Sequence, residues 1–366
     1  MSAGGRTGRG GGARLRVKVV TKIPRQLLRR QLPDAEPVWG ECRFLLDPEA
    51  QRYDWLVAIE DLPPRRGERF SLRVERLACP PEHTLLVTTE PSCVKAYGTA
   101  FARQFATVLT SQEPWALPHP DRIYSQSGLV WLYGYDRDTG RVRTFDELLN
   151  APPPPKHGEV SMVWSAKAQG HTFHRRRHAL MRGLRERLPE LALHGGGVRP
   201  LPDKAAAIDP YRYHVAIENH IAPHHWSEKL ADTFLGFALP FYCGCPNVTD
   251  YFPDESLIRI PPDDAEEAAR IIREAMAAGE HARRREAVLE ARRRVLEEHN
   301  LFALLARAIA ERHRSGRRAD GSLLYARRAL RWRRPWIAAR DMGERLRARW
   351  RCRAGAASGG AGGCRA

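Results

Sequence analysis

The forty residues from Tyr213 to Phe252, YHVAIENHIAPHHWSEKLADTFLGFALPFYCGCPNVTDYF, change hydrophobic period twice. His214-Val215-Ala216-Ile217 reads as a buried strand. It ends in Glu218-Asn219, two polar residues where parallel strands present their carboxyl ends to ligands. After a loop, Ser227 has the character of an N-cap, opening a helix that would bury Leu230, Phe234 and Leu235. Leu239 to Tyr242 returns to a strand, and strand, helix, strand is the unit of an α/β domain. Lys229 falls in the first helical turn, where the dipole disfavours a cation by about 0.3–1 kcal/mol. Either an anion such as a diphosphate sits nearby, or Glu228 and Lys229 are a solvated charge pair.

The same alternation extends in both directions. Upstream, Arg16 to Val20, Cys42 to Leu46, Trp55 to Ile59, Leu85 to Val87 and Phe105 to Leu109 read as strands of a first α/β unit. Four prolines in Ala151 to Lys156 fix φ and remove backbone donors, which marks a linker. Beyond it, strands near Val160 to Trp164, His214 to Ile217, Leu239 to Tyr242 and Leu257 to Ile260 form a second series. The expected organisation is a disordered start (1–13), a first α/β domain (14–150), the linker (151–157) and a second α/β domain (158–300). Basic amphipathic helices (301–353) and a flexible tail (354–366) follow. The fold class is α/β, two domains facing a cleft.

Composition narrows the function. The 366 residues carry a formal charge of +17, but residues 281–353 hold 22 arginines against 8 acidic residues and so account for +14 of it. The body is nearly neutral, which favours an enzyme over the alternative, a nucleic-acid-binding protein working through its tail. Seven scattered cysteines with no CxxC pair suggest reduced structural thiols rather than zinc. No apolar run approaches a membrane span or a secretory signal, so the expected location is cytoplasmic.

Two further positions carry chemistry. On a helix from His174 to Leu188, Arg177 continues the apolar stripe of Leu180, Met181, Leu184 and Leu188, so it leans inward as an ion-pair partner or an anion clamp. Leu85 to Val87 leads through Thr88-Thr89 to Glu90, a carboxylate held extended by Pro91 at the mouth of the first sheet, where a turn residue is the plain alternative. His171, His174 and His178 share helical spacing, but without acidic or cysteine partners they read as solvated or stacking residues.

Taken together, these residues resemble glycosyltransferase family ten, the α-1,3/4-fucosyltransferases, and most closely its bacterial members. The resemblance rests on Glu218-Asn219, Ser227-Glu228-Lys229 nine to eleven positions later, Pro240, Gly244 and the Asn247 to Pro253 segment. Thr89-Glu90-Pro91, Lys95, Tyr97, Gln104-Phe105, Val108 to Gln112, Trp131, Ser161, Ser165 to Lys167 and His171 to Arg177 add to it, over about residues 85–260. It implies a GT-B architecture, acceptor on the first domain and GDP-fucose on the second, with no obligatory metal. By that likeness Glu90 is the general base, Arg177 and Lys229 neutralise the diphosphate, Glu228 holds the ribose, and Glu218 and Asn219 belong to the donor pocket. His225 stands where family members often carry a tyrosine. The implied partners are a GDP-sugar and a glycan acceptor of the kind that can be lipid-linked. The tryptophans and arginines of 315–353 suit peripheral contact with the inner membrane face.

Overall fold

A computed structural model describes residues 14–164, 174–196 and 198–357. The expected disorder of 1–13, the matches at Ser165 to Lys167 and His171, and residues 358–366 of the tail lie outside the described residues. The chain begins with β1 (Leu15–Thr21), α1 (Arg25–Arg29), β2 (Val38–Trp39), β3 (Cys42–Leu45), β4 (Trp55–Ile59), β5 (Val74–Arg76) and β6 (Thr84–Val87). It continues through α2 (Thr99–Ala102), β7 (Thr107–Thr110), β8 (Arg122–Tyr124) and α3 (Phe145–Asn150). A seven-stranded sheet in the order β2-β3-β1-β4-β6-β7-β8 results, parallel except for β2. Its central strands β4, β6 and β7 are buried at every position, which is why they read as unbroken apolar runs.

The second unit comprises β9 (Gly158–Val163), α4 (His174–Arg187), β10 (Ala192–His194), α5 (Ala205–Ile208), β11 (Tyr211–Ile217) and α6 (Glu228–Leu235). β12 (Leu239–Cys243), β13 (Ile258–Arg259), α7 (Ala265–Ala277), α8 (Glu280–Arg283) and α9 (Arg285–Glu297) complete it. Its five strands are all parallel, in the order β10-β9-β11-β12-β13. Two Rossmann-like domains facing one cleft make this the GT-B architecture.

The domain boundary falls earlier than Ala151. Trp131, Tyr133, Phe145 and Leu148 are buried in the core of the second domain. Arg30, 2% exposed, holds this crossing in place through the carbonyls of Trp131, Tyr133 and Arg143, so the segment belongs to both units.

The C-terminal region departs most from expectation. From Glu280 to Arg314 the chain breaks at Arg284 and again before Asn300, whose side chain caps α10 (Leu301–Arg312). α10 then lies on the first domain, with Leu301, Phe302, Leu305 and Ile309 in its core. Leu323 to Tyr325, inside the 301–353 span expected to form amphipathic helices, forms β14, antiparallel to β5. α11 (Arg327–Arg333) and α12 (Pro335–Ala357) follow, separated before Pro335. α12 runs on to Ala357, past the expected start of the tail at 354. Much of the helical charge is neutralised locally: Arg270 pairs with Glu267 and Glu274, and Arg293 with Glu290 and Glu297.

Leu324, Leu330 and Ile337 are 2%, 5% and 6% exposed within the first domain's core. At about 1.5–3 kcal/mol for each buried side chain, an upper estimate, their removal costs on the order of 5 kcal/mol. A chain ending at Arg314 should therefore melt ~10–20 °C below the full chain in a thermal scan. Equal melting temperatures would show that this region is an appendage.

Candidate active site

In the second domain β9 has β10 on one side and β11 on the other, the switch point outside which open parallel sheets bind ligands. A cavity of about 440 Å³ lies there, lined by Arg177, Asn219, Glu228 and Lys229 from the second domain and by Glu90 and Val94 from the first. Five of the seven expected site residues thus meet in one place. Glu218 and His225 do not line it.

Glu218 is fully buried and accepts hydrogen bonds from Ser227 N (2.7 Å) and Ser227 Oγ (2.5 Å), tying the end of β11 to the start of α6. Ser227 is the expected N-cap, its Oγ accepting from Lys229 N at 3.3 Å. Gly244 makes room behind: a Cβ there would stand 2.6 Å from Glu218 Cγ and 2.3 Å from Tyr242 Oη. Glu218 therefore positions the helix that carries Glu228 and Lys229.

Lys229 Nζ lies 3.2 Å from Glu228 Oε1 and 3.5 Å from Glu218 Oε2. Burial opposes its charge, but Glu228 and Glu218 outweigh that and push its pKa up to about 12. Burial likewise disfavours the Glu228 carboxylate, yet Lys229 and Lys204 hold it well below the ordinary range. Lys204, not anticipated from sequence, spans Asp232 (2.7 Å) and Glu228 (3.7 Å). Asp232 in turn accepts from the backbone of Leu132 and Tyr133, fastening the interdomain crossing to α6.

Arg177 is 7% exposed on α4, in line with buried Leu180, Met181, Leu184 and Leu188. Among the described residues its guanidinium has no hydrogen-bond or ion-pair partner, and Nε is buried without one. Burial lowers its pKa, opposed by Glu218 and Glu228 at longer range. A buried, unsatisfied guanidinium is costly unless a ligand completes it.

Across the cavity, Glu90 is half-buried. Its backbone is fixed on both sides, the N–H donating to Tyr97 Oη (3.1 Å) and the carbonyl accepting from Gln112 Nε2 (2.8 Å). Its carboxylate has no hydrogen-bond partner among the described residues. Burial, then the nearby Glu60 charge, raises its pKa. Glu60 follows β4 with a left-handed φ of 74°. Its carboxylate accepts from Thr89 N (2.8 Å) and Thr89 Oγ1 (2.5 Å), and also from Lys95 and Tyr97. Sequence offered no signal for Glu60, because its role depends on two strand ends meeting.

The histidines of the central stretch sit between the domains. His225, expected to touch the donor, is 3% exposed; its Nδ1 is 3.4 Å from Ser111 Oγ, and its ring packs edge-on to His220. Burial lowers its pKa to about 3, so it is a neutral interface residue. His220 reaches Glu113 (3.2 Å), and His224 Nδ1 reaches Tyr251 Oη (2.6 Å), which itself accepts from Gln126 N. His178 packs edge-on to Trp164.

No protein-family model and no curated protein sequence matches the chain. Among solved structures it is similar to an α1,3-fucosyltransferase with GDP-fucose, at 13% identity over 80% of this chain and 93% of that one, with a TM-score of 0.41. An α1,3-fucosyltransferase with GDP gives 14% identity, 81% and 95% coverage and a TM-score of 0.44. A glycosyltransferase from Rickettsia africae ESF-5 gives 9% identity, 82% and 98% coverage and a TM-score of 0.43.

Proposed function

We propose that the cavity binds a nucleoside diphosphate sugar and transfers the sugar, with inversion, to a hydroxyl of an acceptor glycan. The observation that carries this is that an Arg177 guanidinium and a Glu90 carboxylate, neither bonded to any partner among the described residues, line one cavity from the two domains together with the Lys229 ammonium. In the step, the acceptor oxygen attacks the anomeric carbon as its proton passes to Glu90, and the bond from that carbon to the diphosphate oxygen breaks. The electron pair leaves with the diphosphate, whose charge Arg177 and Lys229 meet with charge-assisted hydrogen bonds. In this proposal those two cations do the work for which a metal ion is often recruited. Glu228, charged and beside Lys229, is placed to accept from ribose hydroxyls, and Asn219 lines the same wall.

The resemblance to family ten makes GDP-L-fucose the proposed donor and O3 of an N-acetylglucosamine or glucose unit the proposed acceptor. Trp336, Met342, Leu346 and Trp350 share one side of α12 and are 67%, 64%, 60% and 69% exposed among arginines. Such a face suits peripheral contact with an anionic membrane. No helix among the described residues is long and apolar enough to cross one.

A donor screen tests the reading. Hydrolysis or transfer should be seen with guanosine diphosphate sugars, GDP-fucose foremost, and be at least about tenfold slower with uridine diphosphate sugars, a difference of ~1.4 kcal/mol. Indifference to the whole guanosine series would overturn it.

A further inference from the structure

The loop after Glu90 and the last two helices enclose a second cavity of about 220 Å³, which meets the first at Val94. Its charged lining is wholly basic: Lys95, Arg327, Arg345 and Arg349. Lys95 is paired with Glu60. The three arginines are not neutralised in this way. Arg327 uses Nη2 on the Ala96 carbonyl (2.5 Å) and packs over the Tyr97 ring, while its Nε is buried without a partner. Arg345 and Arg349, one turn apart on α12, have no hydrogen bond or ion pair among the described residues. Of the acids on α12, Asp341 is engaged by Arg331 at 2.6 Å and Glu344 by Arg340 at 3.2 Å. Asp61 accepts from the backbone N of Arg327 rather than from its side chain.

Arg327 is partly buried, whereas Arg345 and Arg349 reach the cavity as exposed side chains from a helix that the fold fixes. α12 is docked through buried Ile337, Asp341 and Ala348, and Glu344 accepts from Thr99 N at 2.9 Å. Gly98, with φ +90°, lets Asp341 approach to where a Cβ would be 2.5 Å from its Oδ1. The helix thus brings like charges together, and burial followed by the Arg331 charge lowers the pKa of both Arg327 and Arg345. Guanidinium groups lining one cavity, whose wall begins at Ser92 two residues after Glu90, fit a group with several anionic oxygens.

We propose that this cavity binds a phosphate group carried by the acceptor, placing the reactive hydroxyl beside Glu90. The proposal rests on Glu90 being the base, and it names the acceptor class as a phosphorylated glycan.

The test uses the full chain with GDP at saturation, so that the cations of the first cavity are occupied. Glucose 1-phosphate, glucose and inorganic phosphate are titrated calorimetrically into the native protein, R345A/R349A and R177A. Glucose 1-phosphate should bind, glucose should not, and R345A/R349A should weaken the sugar phosphate at least about tenfold while retaining GDP binding. R345K/R349K should recover part of the loss. In R177A, where GDP binding is weakened, sugar-phosphate affinity should stay within about twofold. Unchanged binding in R345A/R349A overturns the proposal, as does binding lost in R177A alone, since the anion then belongs to the first cavity. Inorganic phosphate binding as tightly as the sugar phosphate overturns the link to an acceptor. A double variant that changes only binding to phosphatidylglycerol vesicles makes the pair a membrane contact and also overturns it. If GDP binds nowhere, the donor reading fails, while the sugar-phosphate titrations still decide this site.

Discussion

Replacing Arg177 with alanine should weaken GDP binding by about 10- to 150-fold without destabilising the ligand-free protein. The affinity loss corresponds to one charge-assisted hydrogen-bonding group, about 1.5–3 kcal/mol. The second half of the expectation follows from the environment. Arg177 is 7% exposed with no bonded partner among the described residues, and burial lowers its pKa, so in the empty cavity the charge gains little and remains partly desolvated. Truncation also removes the aliphatic stem, which lines the same cavity as Met181, so the two effects should offset to within about 1 kcal/mol. Calorimetry with GDP and thermal melting of the apo protein check both halves. Arg177→Lys should retain part of the affinity, because it keeps the charge but loses the planar fork that spans two phosphate oxygens. A fall in apo melting temperature with unchanged GDP affinity would instead make Arg177 a structural ion partner of Glu218 and Glu228, and the cavity would lose its strongest claim on a diphosphate.

The readability of this site in the sequence follows from how local each signal is. Arg177 stands on the apolar stripe of its own helix, and Ser227, Glu228 and Lys229 are fixed by an N-cap pattern that needs only a few neighbouring residues. Glu90 sits at the end of an apolar strand, so its place at a sheet mouth is also local information. Glu60, Lys204 and Asp232 were invisible for the opposite reason: each acts by touching an element distant in the chain, as Glu60 does with Thr89, Lys95 and Tyr97. His225 was misplaced because its burial depends on how Ser111 of one domain meets the other, which no periodicity encodes. The C-terminal helices show the same limit in the fold. Leu323-Leu324-Tyr325 is too short to separate strand from helix by period, and only pairing with Val74 to Arg76 makes it a strand. The span expected as basic amphipathic helices suited to a membrane surface is, through buried Leu324, Leu330 and Ile337, part of the first domain's core.

Replacing Glu90 with glutamine should slow transfer by about 10²–10⁴-fold while GDP affinity changes less than about twofold, since a general base acts on the acceptor hydroxyl and not on the donor phosphates. Apo stability should hold or rise. A carboxyl whose folded pKa is raised contributes stability that is present at low pH and lost as pH rises through that pKa, so at neutral pH the Glu90 charge is a net cost that glutamine removes. The same raised pKa sets the acid limb of kcat/KM: the base must be ionised, so the native rate should fall about tenfold per pH unit below a midpoint above the ordinary carboxylate range. Glu60→Gln then separates electrostatics from scaffolding. Removing its charge takes away the like-charge repulsion on Glu90 and releases Lys95 to act on Glu90 alone, and both changes move the acid limb to lower pH. If Glu60 only braces the Thr89 and Tyr97 contacts, kcat should drop equally at every pH with the limb unmoved. A limb that persists in Glu90→Gln would assign the proton transfer to another group.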